Sequence, residues 1–238
     1  MATGTLYLVP TGLGSAVPSL LIPEATRSVV HHLHHFVVEN AKTARQFLKA
    51  IAYPHPLHEA SFAVLDEHTR QSAVADLLSP LLNGNDVGLM SEAGCPGVAD
   101  PGAALVQLAH AARLRVAPLV GPSAILLALM ASGMNGQRFT FHGYLPVHAA
   151  ERRARIAHLE AQSAREAMTQ IFIETPYRNQ ALFDALIATC RPDTLLCIAA
   201  DVTAESESVR TLQVAQWKRE PPNLARRPAV FLIYRGVS

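Results

Sequence analysis

The sequence predicts an α/β protein of two domains, with a mostly parallel sheet in the first half and a mixed sheet in the second. Three observations carry that prediction. Short runs rich in Val, Ile, Leu and Phe alternate with segments of helical period through residues 1–132, the pattern of strands joined by crossover helices. In the last third, strand-like runs follow one another with no long helix between them, so neighbouring strands there can run antiparallel. Half of the 238 residues are hydrophobic and 16% are charged, which excludes a disordered chain and suffices for a sizeable core.

The elements follow in order. Residues 5–9 (TLYLV) read as the first strand, followed by a Gly/Pro loop. Residues 36–39 (FVVE) form the second strand and 41–51 a helix; 62–65 form the third strand and 70–82 a helix. Residues 86–91 (DVGLMS) form the fourth strand, which ends in a long loop. A helix over 102–113, a strand over 115–120 and a helix over 122–132, with Pro122 in its first turn, complete the first half. Then come a strand at 139–145, an Arg-rich helix at 149–162, a strand at 170–174 and a helix at 178–190. Strands at 195–200, 208–214 and 229–234 close the chain. The glycine-bearing stretch 133–137 (GMNGQ) marks the expected boundary, giving domains 1–134 and 135–238 with a ligand cleft between them.

Composition narrows the function classes. Lys plus Arg number 20 and Asp plus Glu 19, a net charge of +1, so no global field draws nucleic acid and any such binding needs a local patch. Three scattered cysteines, Cys95, Cys190 and Cys197, make no disulfide framework and fit a reducing cytoplasm. No run approaches the ~18 apolar residues of a membrane span, so no membrane partner is expected. In the run from His31 to His35, His31 and His35 would stand i, i+4 on a helix, a spacing that suits zinc. No HExxH motif or nearby cysteine accompanies them, so a solvated helix end is expected and no metal is assigned.

Three loops at strand carboxyl ends invite a ligand. Pro10-Thr11-Gly12-Leu13-Gly14 follows the first strand, and its small residues let backbone approach a ligand or simply turn the chain. A dinucleotide fingerprint needs a third glycine where Val17 stands, and Pro18 and Pro23 oppose a helix opening there. The segment 91–102, SEAGCPGVADPG, packs three glycines, two prolines and two acids into twelve residues after a buried strand. Such backbone specialisation points to ligand contact. Glu92 and Asp100 fit either the binding of hydroxyls or an ammonium, or helix capping; Asp100 before Pro101 suits an N-cap. In Val120-Gly121-Pro122-Ser123-Ala124 the nucleophile motif G-x-S-x-G fails at Ile125, leaving Ser123 to donate to a ligand or to cap its helix. Arg152, Arg153 and Arg155 open a basic helix, either a solvated face or a phosphate patch. Glu174 and Arg178 end a strand, either facing the cleft or pairing within a turn.

Taken together, GTLYLVPTG, SEAGCPGVADPG, VGPSA, FHGYLP (141–146), ETPYR (174–178) and ADVTAESESV resemble, in order and spacing, the tetrapyrrole methylase superfamily. Within it they most resemble the ribosomal RNA small subunit methyltransferase I branch, which 2′-O-methylates a cytidine of 16S rRNA. The resemblance implies two α/β domains with S-adenosyl-L-methionine in the cleft between them, and a homodimer. It implies that Pro10, Ser91, Glu92, Ala93, Gly94, Val98, Asp100, Ser123 and Ala124 line the cofactor pocket. The backbone of Gly94-Cys95-Pro96 would hold the methionine part, and Val98 the ribose and adenine. The chain departs from that branch at VPTGLG in place of ATPIGN, at Glu39-Asn40-Ala41-Lys42 in place of EDTR, and at Val147-His148 in place of a basic pair.

Methyl transfer is an in-line displacement, and a hydroxyl acceptor also needs a base. Glu39, Glu174 and Asp100 are the candidate catalytic carboxylates. RNA, a small molecule or a tetrapyrrole remains open as acceptor, and a non-catalytic cofactor-binding protein is the alternative outside enzymes.

Overall fold

The computed structural model describes residues 3–14, 17–66 and 68–236, without the side chain of Gln71. The chain divides into two compact units, residues 1–123 and 124–238.

The first unit runs β1 (Thr5–Val9), α1 (Pro18–Leu21), α2 (Glu24–Val30), β2 (His35–Val38), α3 (Ala41–Ala50), β3 (Ser61–Val64), α4 (Gln71–Asp76), α5 (Ser79–Leu82), β4 (Val87–Met90), α6 (Gly102–Ala111) and β5 (Arg115–Pro118). Its five strands are all parallel, in the order β3-β2-β4-β1-β5. Side chains alternate across the sheet. Leu6, Val37, Val87 and Leu89 pack with Val74, Leu81 and Leu105 of α4, α5 and α6 on one face. Val9, Phe36, Val38 and Met90 pack with Val30, Phe47 and Leu48 of α2 and α3 on the other. Strand β4 is buried at all four positions, as a central parallel strand covered on both faces must be.

The second unit runs α7 (Ala124–Ser132), β6 (Phe139–Tyr144), α8 (Ala149–Glu166), β7 (Thr169–Glu174), α9 (Asn179–Thr189), β8 (Leu195–Ala200), β9 (Ser208–Gln213), α10 (Val214–Trp217) and β10 (Ala229–Tyr234). The strand order is β6-β7-β10-β8-β9, with β6 and β7 parallel and the other pairs antiparallel. One face packs on α8, α9 and α10 through Phe172, Phe183, Trp217 and Phe231. The other face packs on α7 through Ala128 and Leu129. The mixed sheet is as expected.

Four elements differ from the sequence reading. The expected helix over 70–82 is two short helices, because Pro80 lacks an N–H and sits in the first turn of α5. The loop after β1 contains α1 and α2; Pro18 opens the first of them and Pro23 is the N-cap of the second, so these prolines start helices rather than oppose them. Helix α7 begins at Ala124, leaving Pro122 outside it. That helix belongs to the second unit, which therefore begins some ten residues before the glycine-bearing stretch. It packs on β8, β9 and β10, and the Thr211 hydroxyl donates to the Ser132 carbonyl at 2.8 Å.

Candidate functional site

Adjacent strands β1 and β4 send their chains to opposite sides of the first sheet. The chain leaves β1 through α1 and α2 for β2, and leaves β4 through α6 for β5. The carboxyl ends of two such strands border a crevice, the usual ligand position in an open α/β sheet. The loop segments 10–14 and 91–101 leave from this place.

The loops are tied together. The Thr11 N–H donates to the Gly94 carbonyl at 2.9 Å, and the Gly94 N–H returns to the Gly12 carbonyl at 3.4 Å. The Thr11 hydroxyl donates to the Ser91 carbonyl at 3.3 Å, and the Ser91 hydroxyl to the Gly94 carbonyl at 3.2 Å. The Cys95 thiol reaches the Pro122 carbonyl at 3.4 Å, joining the 119–123 loop. Gly121 lies so close that a Cβ there would stand 2.2 Å from Pro10 Cγ. Gly94 takes φ +75° and Gly97 φ +81°, a left-handed backbone that glycine adopts without steric cost.

Asp100 closes the long loop. Its Oδ1 accepts the N–H groups of Gly97 and Gly102, both at 2.8 Å. Pro101, not Asp100, holds the N-cap position of α6, but the Asp100 carboxylate still serves that helix through Gly102. Burial raises the Asp100 pKa against those two hydrogen bonds.

A second carboxylate borders the same crevice. Glu39, just past β2, accepts the Glu92 N–H at 3.0 Å, and the Glu92 carboxylate accepts the Thr43 hydroxyl at 2.6 Å. Burial pushes the Glu39 pKa up, the Glu92 N–H opposes that, and the charges of Asp100 and Glu92 add to the rise. Such a carboxyl gives up its proton less readily and accepts one more readily, as a general base must. Beside it lies a groove of about 330 Å³ lined by Thr11, Gly12, Ser91 and Glu92 and by one face of α3, including Thr43, Gln46 and Phe47. The α3 contribution was missed in the sequence, because positions 43, 47 and 50 form a helical stripe that reads as core.

Among the nine cofactor candidates, Pro10, Ser91, Glu92, Ala93, Gly94, Val98, Asp100 and Ser123 lie on these three loops, and Ala124 opens α7. Glu92 is exposed and Val98 is 48% exposed. The backbone N–H groups of Ala93 and Cys95 have no acceptor among the described residues.

Glu174 lies at the end of β7 in the second unit. Its Oε1 accepts the Thr175 N–H at 2.7 Å and Arg178 Nη2 at 2.6 Å, so it pairs within the turn. Its Oε2 is buried without a partner among the described residues. On the neighbouring strand, His142 Nε2 meets Gln170 Oε1 at 2.6 Å and Arg155 Nη2 approaches His142 Nδ1 at 3.3 Å. A guanidinium only donates, so Nδ1 is the acceptor and Nε2 carries the proton. Burial holds the His142 pKa down. No local motif announces this trio, whose members are 13 and 28 residues apart.

The histidine run is not one helix end. His31 caps α2 and His35 begins β2, so the two do not share a helical face. His31 Nε2 is bonded to the Ile51 carbonyl at 2.9 Å, so it is not a freely solvated side chain. No cluster of three or more metal-ligating side chains occurs among the described residues.

No family model matches the chain. The ribosomal RNA small subunit methyltransferase I of Xylella fastidiosa strain Temecula1 is 32% identical over 237 residues, covering 99% of this chain and 82% of that protein. The protein of the same name from strain 9a5c is 35% identical with the same coverage, and that of Pseudomonas aeruginosa 29% identical, covering 98% and 79%. Among solved structures, the methyltransferase CobJ superposes with a TM-score of 0.65 at 18% identity, covering 99% of this chain and 95% of that one. The cobalt precorrin-4 methyltransferase CbiF gives 0.60 at 16% identity, covering 97% and 94%. These likenesses bear out the two-part α/β fold of tetrapyrrole methylase type.

Proposed function

The chain belongs to the ribosomal RNA small subunit methyltransferase I family, and from that membership we propose that it moves a methyl group onto a ribose hydroxyl of ribosomal RNA. It is an S-adenosyl-L-methionine-dependent methyltransferase. The observation that carries the reading is the tied set of loops at the crevice between β1 and β4, whose chemistry fits this cofactor.

The fit is residue by residue. Unpaired N–H groups at Ala93 and Cys95 suit the cofactor's carboxylate. The acids Glu92 and Asp100 suit its ammonium and ribose hydroxyls, and exposed Val98 offers an apolar cover for adenine. Pro10, Gly94 and Ser91 belong to the bonded frame that holds the loops in place, and Ser123 and Ala124 complete the set. When bound, the cofactor supplies a methyl group made electrophilic by a positively charged sulfur.

The protein's own part is alignment and proton removal. Glu39 is the base this reading favours. Its Oε1 is used by Glu92, leaving Oε2 for the hydroxyl proton, and its raised pKa suits the task. Asp100 is engaged by two loop amides and Glu174 by Arg178, so neither is the base in this reading.

A small-molecule acceptor is the second reading. It is favoured by three acids, Glu39, Glu92 and Asp100, near one crevice, where they would repel phosphates. A homodimer in the cytoplasm completes the proposal; the dimer is supported by Leu126 at 51% and Met130 at 78% exposure, one turn apart on α7, and the location by three cysteines without a disulfide.

The test is to methylate ribosomal RNA from cells lacking the protein and then hydrolyse it in alkali. Label on a ribose 2′-oxygen survives as an alkali-resistant dinucleotide, because that hydroxyl can no longer attack its phosphate. Label released on single nucleotides would refute a ribose acceptor.

A further inference from the structure

Resting on that RNA reading, we infer that Tyr144 and Tyr177 form a stacking platform for the bases of a single-stranded RNA segment, bordered by Arg152 and Arg153. A net charge of +1 leaves little electrostatic attraction to spend on phosphates. Binding then needs a contribution that does not depend on charge, and bases stacking on exposed aromatic rings supply one.

The two rings are placed for this. Strands β6 and β7 are parallel neighbours, and Tyr144 at the end of β6 pairs with Ile173, four residues before Tyr177. Tyr177 is 84% exposed and Tyr144 is 53% exposed. Neither ring packs on another aromatic ring, and neither hydroxyl is hydrogen-bonded, among the described residues. Both are carried on paired or hydrogen-bonded backbone. The register of β6 against β7 shifts between Phe141 and Tyr144, with Gly143 at φ +63°, an irregularity that re-aims the side chains after it. The turn carrying Tyr177 is closed by the Arg178 N–H on the Thr175 carbonyl at 2.9 Å and braced by the Arg178–Glu174 pair. A platform fixed before binding loses little entropy on binding.

Charge at the same end of the unit suits a nucleic-acid strand. Helix α8 begins five residues after Tyr144, and Arg155 reaches back to His142 on β6. Arg152 bonds the Val147 carbonyl, and Arg153 is exposed with no carboxylate partner among the described residues. Base faces are available in a single strand and hidden in a duplex, so the occupant is single-stranded RNA.

The experiment is fluorescence anisotropy of a labelled single-stranded RNA of about 12 nucleotides, enough for one binding site. It compares wild type with Tyr144→Ala, Tyr177→Ala, the two Tyr→Phe variants and Arg153→Ala over a series of salt concentrations. Each alanine variant should bind about tenfold more weakly with the salt slope unchanged. The phenylalanine variants should bind as wild type does, and Arg153→Ala should flatten the slope by about 0.7. Cofactor affinity by calorimetry should be the same in all of them. Wild-type RNA affinity in both alanine variants overturns the platform and leaves the RNA acceptor standing. Weaker binding that comes with dissociation of a dimer in ultracentrifugation also overturns it, since the rings then hold a second copy of the chain. No RNA binding by the wild type overturns the acceptor reading and the platform with it.

Discussion

Replacing Gly94 by Val separates the cofactor cradle from the fold. Gly94 takes φ +75°, where a residue with a Cβ costs about 1–2 kcal/mol. The new Cβ would stand 3.2 Å from Leu13 Cδ2 and 3.5 Å from the Pro122 carbonyl oxygen, so Leu13 must give way by a few tenths of an ångström. If the loop shifts, the Thr11–Gly94 hydrogen bond of 2.9 Å weakens, worth about 1 kcal/mol. The total, about 2–3 kcal/mol, lies below the usual stability of a domain, so the variant folds with a midpoint lowered by about 6–15 °C. Cofactor binding should suffer far more, because moving Gly94 disturbs the Thr11 and Ser91 hydrogen bonds that tie the cradle loops together. Calorimetry with S-adenosyl-L-methionine and its demethylated product should give low micromolar affinity for wild type and a loss of at least about 100-fold for Gly94→Val. Gly133→Val is the control: φ is +70° with open space around it, so it carries the strain without touching the loops. A folded Gly94→Val protein with wild-type affinity would refute the reasoning.

Further outcomes are expected. Glu39→Gln should lower methyl transfer at least about 100-fold while cofactor affinity holds, and the wild-type rate should fall as pH drops through the raised Glu39 pKa. A carboxyl whose folded pKa is raised contributes stability below its unfolded pKa and loses it as pH rises, so Glu39→Gln should melt higher than wild type near pH 7 and match it below about pH 4. Glu160→Ala should destabilise the second unit by about 2–4 kcal/mol in urea unfolding, since it strips the buried Thr194 hydroxyl and the Arg191 N–H of their acceptor. Iodoacetamide near pH 8 should label half-buried Cys95 slowly and leave Cys190, whose thiol burial pushes up to about 12, and buried Cys197 untouched, as peptide mapping can show.

How much was legible in the sequence follows from what each residue had to satisfy. Strands β1, β8 and β10 match the expected limits at both ends, because short apolar runs buried between helices have no other use. The 91–102 loop was legible because its glycines and prolines fit only a specialised backbone, and Gly94 and Gly97 do carry positive φ. The prolines at 18 and 23 misled because proline both breaks helices and begins them. Helix α7 is apolar all round, so its sequence gave no sign of which sheet it would cover. The Glu39–Glu92 and Glu92–Thr43 bonds span 53 and 49 residues, and nothing local encodes a contact made only when two strands become neighbours.

The most direct test gives the protein a choice of acceptors. S-adenosyl-L-methionine labelled in its methyl group is offered with total RNA and with the small-molecule extract, both from cells lacking the protein. Incorporated label is then counted in each fraction. The account predicts label in ribosomal RNA, removed by ribonuclease and lost in Glu39→Gln and Gly94→Val. Label confined to the small-molecule fraction, or no label in either, would contradict it.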